Sequence, residues 1–278
     1  MNYRHAFHAA NFADCMKHAL VHALATALLR KATPFRVLDT HAGIGLYDLQ
    51  SNEARRTGEW RDGIGRLETV QDGPLLPWLT LVRSFPRGTY PGSPALLRAM
   101  LRAPEQANDH LALCELHPED HATLRAAFRG DGQVSVHWRD AYEALTALTP
   151  FPERRGLVLM DPPFEAEGEF GRMAEGMAGL SRRFRGAIQA AWYPVKHRAP
   201  VRAFHDALAG SGIRDVIACE IWLREPTDPT RLNGCGLAVV NPPFGFPGTA
   251  RDILAALHAR FDDGEAGAGW SVTEVVPE

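Results

Sequence analysis

Two kinds of apolar run alternate along the chain, and their alternation predicts most of the fold. Continuous apolar stretches bounded by turn residues read as strands buried on both faces: 35–39, 111–115, 134–140, 157–160, 187–193, 216–223 and 237–240. Between them, apolar residues at helical spacing predict helices over 11–31, 95–102, 169–184, 200–210 and 250–260. In the first of these, Phe12, Met16, Leu20, Ala23, Leu24, Ala27 and Leu28 form the buried stripe, with Asn11 as N-cap. Asp14, Lys17 and His18 lie off that stripe and are expected on a solvated face, with Asp14 and His18 paired four residues apart. Strands and helices in this order give an α/β, doubly wound sheet of about seven strands. If 216–223 and 237–240 form a hairpin, the last main strand runs antiparallel to the rest. Residues 271–276 are expected to add an edge strand.

The stretch 46–91 breaks the rhythm. It carries Arg55, Arg56, Trp60, Arg61 and Arg66, expected to offer stacking and phosphate contacts, and then an apolar helix-like part near 75–82. After it, Ser93 reads as the N-cap of the next helix, with Pro94 in its first turn.

Composition narrows the class. With 278 residues, 45% of them hydrophobic, the chain can bury a large core, as one α/β domain or one domain with an insertion. A formal net charge of −3 leaves no global field to draw the protein onto nucleic acid, so any such contact uses local patches. Lysine occurs only at Lys17, Lys31 and Lys196. The cysteines Cys15, Cys114, Cys219 and Cys235 have neither zinc nor redox spacing, and no metal site is expected. There is no run of 18 apolar residues and no apolar signal core at the N-terminus, so a cytoplasmic protein without membrane contact is expected.

The candidate chemistry sits at the strand ends. Asp161-Pro162-Pro163-Phe164 follows the strand 157–160, and two successive prolines force the chain out of the sheet there. The Asp161 carboxylate and the Pro162 carbonyl can accept both protons of an exocyclic amine, while Phe164 stacks on the base. The strand 35–39 runs into Thr40-His41-Ala42-Gly43-Ile44-Gly45, a turn whose glycines let a ligand approach the backbone and whose His41 can reach that ligand. Glu115 is placed to bind both hydroxyls of a ribose, and Asp140 with the backbone beyond it to meet an adenine edge. In a parallel sheet these acids lie on one edge, the edge where ligands bind. A second turn, Asn241-Pro242-Pro243-Phe244, would end an antiparallel strand and point to the opposite edge, so it is not expected to be the active turn. The set outlines an S-adenosyl-L-methionine-dependent amino-methyltransferase.

At this point the chain resembles the bacterial 23S ribosomal RNA adenine-N6 methyltransferases of the RlmJ type. The matching stretches are YRHAFHAANFADCMKH, LDTHAGIG, RTGEW, YPGSP, ELHP, LMDPPF, WYPV, NPPF and the closing VPE, in order over essentially the whole chain. The resemblance implies a Rossmann-like class I methyltransferase domain over 1–45 and 92–278, with a small helical insertion subdomain over 46–91. It implies S-adenosyl-L-methionine as cofactor, 23S ribosomal RNA as partner and a monomer. It assigns cofactor contacts to His18, His41, Ser93, Glu115, Asp140, Ala141 and Asp161, makes Asp161 catalytic, and places Tyr3, His5 and Lys17 near the target adenine. Two positions depart from the family pattern: Phe164 stands where a tyrosine is common, and Ala141 where a glycine is usual. The rival readings are an RNA guanine-N2, DNA adenine-N6 or protein glutamine methyltransferase, or a non-catalytic RNA-binding protein on the same fold.

Overall fold

In the computed structural model, which describes residues 4–278, successive residues of each central strand point into two different apolar layers. Val37, Leu111, Leu113, Leu157 and Leu159 face one layer, and Leu38, Ala112, Val158 and Met160 face the other. This is the consequence of a two-residue period in strands with no solvated face. The strands are β1 (Arg36–Asp39), β4 (His110–Cys114), β5 (Val134–His137), β6 (Gly156–Met160), β7 (Ala187–Val195), β8 (Val216–Trp222), β9 (Gly234–Val240) and β10 (Gly269–Val276). They form one sheet in the order β10-β8-β9-β7-β6-β1-β4-β5. Strands β5, β4, β1, β6 and β7 are mutually parallel. Strand β9 lies antiparallel between β7 and β8, as the hairpin reading anticipates, and β10 closes the edge antiparallel to β8.

Helices α1 (Phe12–Leu29), α4 (Ser93–Met100) and α9 (Phe246–Phe261) supply the first layer, together with α3 (Leu76–Arg83). Helices α6 (Ala141–Ala147), α7 (Glu169–Arg183) and α8 (Arg198–Gly210) supply the second. Helices α2 (Asn52–Thr57) and α5 (Pro118–Ala127) are more peripheral.

The stretch 46–91 enters and leaves through a short antiparallel ladder, β2 (Leu46–Asp48) with β3 (Thr89–Pro91), in which Leu46 pairs with Pro91. Its Trp78 and Leu79 join the same apolar layer as α1 and α9. Trp60 is not the open platform expected. It is half-buried against that layer, with its indole nitrogen fully enclosed and the Arg61 guanidinium 5.2 Å over its ring. The stretch is also stitched to the N-terminal residues: Ile64 N–H donates to Ala10 O (3.0 Å), His8 meets Glu59 (2.9 Å), and Asn11 donates to Glu59 (3.0 Å).

Two expectations about helix starts and faces are corrected. Ser93 is the first residue of α4 and not its cap; Gly92 holds the cap position and Ser93 is buried. Asp14, Lys17 and His18 are not solvated but 3%, 4% and 1% exposed. Helix α1 contacts α3, α4 and α9 as well as β6 and β9, so its polar side has no open water to face. Asp14 pairs with Lys17 and His5 and not with His18, whose Nδ1 instead meets the Tyr90 hydroxyl at 2.8 Å.

Candidate active site

The carboxyl ends of β5, β4, β1 and β6 bring four acids side by side along one sheet edge, in the order Asp140, Glu115, Asp39, Asp161. Sequence reasoning named three of them and passed over Asp39, the last residue of β1. Asp39 is fully buried, and its Oδ2 has no hydrogen-bond partner among the described residues. Burial raises its pKa to about 6.

Between β1 and the acids lies the glycine turn. Gly43 has φ +64°, and a Cβ there would sit 2.3 Å from the Tyr47 hydroxyl, so both conformation and space require glycine. Its N–H donates to Glu115 Oε2 (2.8 Å), while the His117 N–H donates to Oε1 (2.7 Å). Glu115 is therefore buried but anchored, and each oxygen keeps a lone pair for a further donor. Burial raises its pKa, against the pull of these amides. Asp140 caps α6, accepting from Tyr142 N (2.9 Å) and Glu143 N (3.1 Å), three residues beyond the end of β5. Arg172 approaches its other oxygen at 3.8 Å. Ala141 is the first residue of α6 and has no positive φ, so the departure from glycine costs the backbone nothing there.

Asp161 stands beside this cleft. Its backbone N–H donates to His41 Nδ1 at 3.3 Å, and its carboxylate receives Lys17 Nζ at 2.5 Å. Burial lowers the His41 pKa to about 4, so its ring is neutral near pH 7. Asp161 and Asp140 both favour a charged His41 ring, but burial outweighs them. Phe164 ends the turn at φ +53°, a left-handed conformation rare for an aromatic residue and one that clusters at functional sites. Its ring is half-buried, 4.8 Å from Phe170 and 6.0 Å from Trp192 by centroid.

Lys17 lies between two carboxylates, 2.8 Å from Asp14 Oδ1 and 2.5 Å from Asp161 Oδ2. Burial works against its charge, but Asp14 and Asp161 outweigh that and hold its pKa well above the ordinary lysine value. Burial likewise opposes the Asp14 carboxylate, but His5 and Lys17 hold it well below the usual range. His5 reaches the same carboxylate at 2.9 Å. Tyr3 lies outside the described residues.

His18, one residue further along α1, has its pKa lowered to about 3, chiefly by burial, and its Nε2 has no partner among the described residues. The unfolded chain binds a proton below about pH 6.5 and the folded chain does not. The associated stability is thus complete above pH 6.5 and is lost as the pH falls toward 3. Between pH 7.5 and 5 the loss from this residue alone is expected to be about 2 kcal/mol. Urea titrations at the two pH values check it: His18→Asn should shrink the difference by that amount.

The second turn behaves as the antiparallel reading requires. Val240 pairs with Gln189 near the start of β7, so Asn241 emerges on the edge opposite Asp161. The Phe244 ring is 99% exposed. Phe244→Ala is expected to leave methyl transfer within about twofold and stability within about 0.5 kcal/mol, as for ordinary surface positions; thermal melts and a turnover assay read both.

The residues fit a nucleoside carrying a charged amino-acid tail: an anchored acid at Glu115 with spare lone pairs, and orphaned buried atoms at Asp39 and His18. Sheet order and the reversed strand together define the class I methyltransferase fold. A family model described as ribosomal RNA large subunit methyltransferase D, RlmJ, matches residues 32–276. The chain is 37% identical to ribosomal RNA large subunit methyltransferase J of Escherichia coli, covering 99% of this chain and 100% of that one. It is 33% identical to the protein of the same name from Haemophilus influenzae, over 100% of both. The crystal structure of protein LPL1258 from Legionella pneumophila superposes with a TM-score of 0.85 at 30% identity, covering 96% of this chain and 98% of that one. The chain belongs to the RlmJ family of ribosomal RNA large subunit methyltransferases. No helix among the described residues is long and apolar enough to cross a membrane.

Proposed function

We propose that the chain transfers a methyl group from S-adenosyl-L-methionine to the exocyclic N6 amine of an adenine in 23S ribosomal RNA, with Asp161 as the group that holds the amine. The observation that supports it most is the Asp161 carboxylate, fixed by a buried ammonium at the end of β6 and flanked by the acids of the cleft.

Glu115, held by the Gly43 amide, would accept from the ribose hydroxyls. Asp140 and Ala141 would border the adenine ring of the cofactor. Asp39, His18, His41 and Ser93 would face its amino-acid portion. When bound, the cofactor supplies an electrophilic methyl group.

The chain's own residues do the rest. Asp161 and the Pro162 carbonyl hold the two N–H groups of the target amine, which turns the nitrogen lone pair out of conjugation with the ring. Fixed placement of that nitrogen provides several kcal/mol of the acceleration, roughly as for other well-oriented reactions. Asp161 then accepts the proton released on transfer. The base must be unpaired or flipped to enter, stacking on Phe164. Lys17 binds one oxygen of Asp161 and fixes its rotamer. His41 holds the turn by accepting the Asp161 N–H.

The test is to incubate purified protein with isotope-labelled cofactor and an unmodified 23S ribosomal RNA transcript, then digest to nucleosides for mass spectrometry. Label in N6-methyladenosine supports the reading. Label in N2-methylguanosine, or in no nucleoside, overturns it.

A further inference from the structure

Among the described residues, Asp14 is a buried acid with partners on both of its oxygens. Its Oδ1 takes Lys17 Nζ at 2.8 Å. Its Oδ2 takes the Ala10 N–H at 2.9 Å and His5 Nε2 at 2.9 Å. Ala10 itself sits at φ +65°, so this carboxylate secures a strained bend of the N-terminal segment as well as the lysine. The side chain is 3% exposed, on a helix whose other buried residues are apolar except Lys17 and His18.

A buried acid paired with a buried lysine is weak evidence for stability, since hydrophobic substitutes of similar volume often serve as well. The pair here does something an apolar pair cannot. The Lys17 ammonium is shared between Asp14 Oδ1 and Asp161 Oδ2, so it meets one oxygen of Asp161 while the second carboxylate holds it from the other side. An ammonium with Asp161 as its sole anionic partner would be free to bridge both of its oxygens and occupy the positions an incoming amine needs.

We propose that Asp14 is a positioning residue for methyl transfer: it holds the Lys17 ammonium on one oxygen of Asp161 and so keeps the other turned toward the nucleobase amine. The inference rests on the reading of Asp161 as the amine's acceptor. The proposed effect on Asp161 passes through Lys17, on the oxygen of Asp14 that does not hold Ala10 and His5.

Asp14→Asn, Lys17→Met, the double variant and Asp161→Asn test this in the full chain. Asp14→Asn is expected to lower kcat roughly a hundredfold, as for a displacement of about 1 Å at the reacting groups. Calorimetric affinity for the cofactor and the KM for RNA should stay within about threefold, because only the transfer step is touched. The double variant should turn over no more slowly than Lys17→Met, because an effect carried through one residue is not additive with its loss. Wild-type kcat in Asp14→Asn, a change confined to KM, or losses that multiply in the double variant would each overturn the proposal. Should Asp14→Asn fail to fold, the comparison of Lys17→Met with the double variant, which removes both buried charges, decides alone. Full turnover by Asp161→Asn would instead overturn the assignment of Asp161, a separate outcome from an unaffected Asp14→Asn.

Discussion

Asp161→Ala is expected to lower single-turnover methyl transfer by on the order of 10³-fold, the loss typical of removing a positioned acceptor and its electrostatic contact. Cofactor affinity should change by no more than a few-fold, because the contacts proposed for the nucleoside lie on Glu115, which the Gly43 and His117 amides anchor. The fold should survive the change. Lys17 keeps Asp14 as a partner at 2.8 Å, so the substitution does not leave its buried ammonium without a counter-charge. Rapid-quench transfer assays with calorimetry on the same preparation give both numbers. Undiminished transfer would remove Asp161 from the mechanism.

Glu115→Ala should show the opposite signature. Its two oxygens hold the Gly43 and His117 amides, and their loss both frees the turn and takes away the acceptor proposed for the ribose. Charge-assisted hydrogen bonds of this kind contribute about 1.5–3 kcal/mol each. A cofactor Kd raised roughly a hundredfold, equivalent to about 2.7 kcal/mol, is expected. At saturating cofactor most of kcat should return, since the turn at Asp161 proposed to hold the amine is untouched. An unchanged Kd would place the nucleoside elsewhere.

Much of the sheet was legible because buried parallel strands write themselves as apolar runs closed by a charged or turn residue. The seven main strands, the last of them antiparallel, and the added edge at Gly269–Val276 all appear where those runs fall, within a few residues. The β2–β3 ladder left no such trace, because three residues on each side are too few for a period to show. Helix α5 buries only Leu124 and so carries no apolar stripe to read. At the site, Asp161, Glu115 and Asp140 were legible as strand-end acids, although Asp140 turned out to cap a helix three residues past its strand. The charged face of α1 was misread for a physical reason. Helical spacing shows which residues are apolar, not which polar residues find a buried partner, and the partner of Lys17 lies 144 positions away. Trp60 was misread because arginines beside an aromatic ring suggest an open surface, whereas here the ring faces the core and Arg61 covers it. Asp39 escaped notice because a strand's own last residue gives no sign in the sequence that its outer oxygen is left without a donor.

The chain carries two nearly identical tetrapeptides, Asp-Pro-Pro-Phe from 161 and Asn-Pro-Pro-Phe from 241, yet one strand's reversal sends them to opposite rims of the sheet. A pattern scan would score both. Mutating Asn241→Asp would complete a second copy of the proposed active tetrapeptide on the rim away from Glu115 and the glycine turn, and it would be a decoy: chemistry here is addressed by strand polarity before it is spelled by residue type.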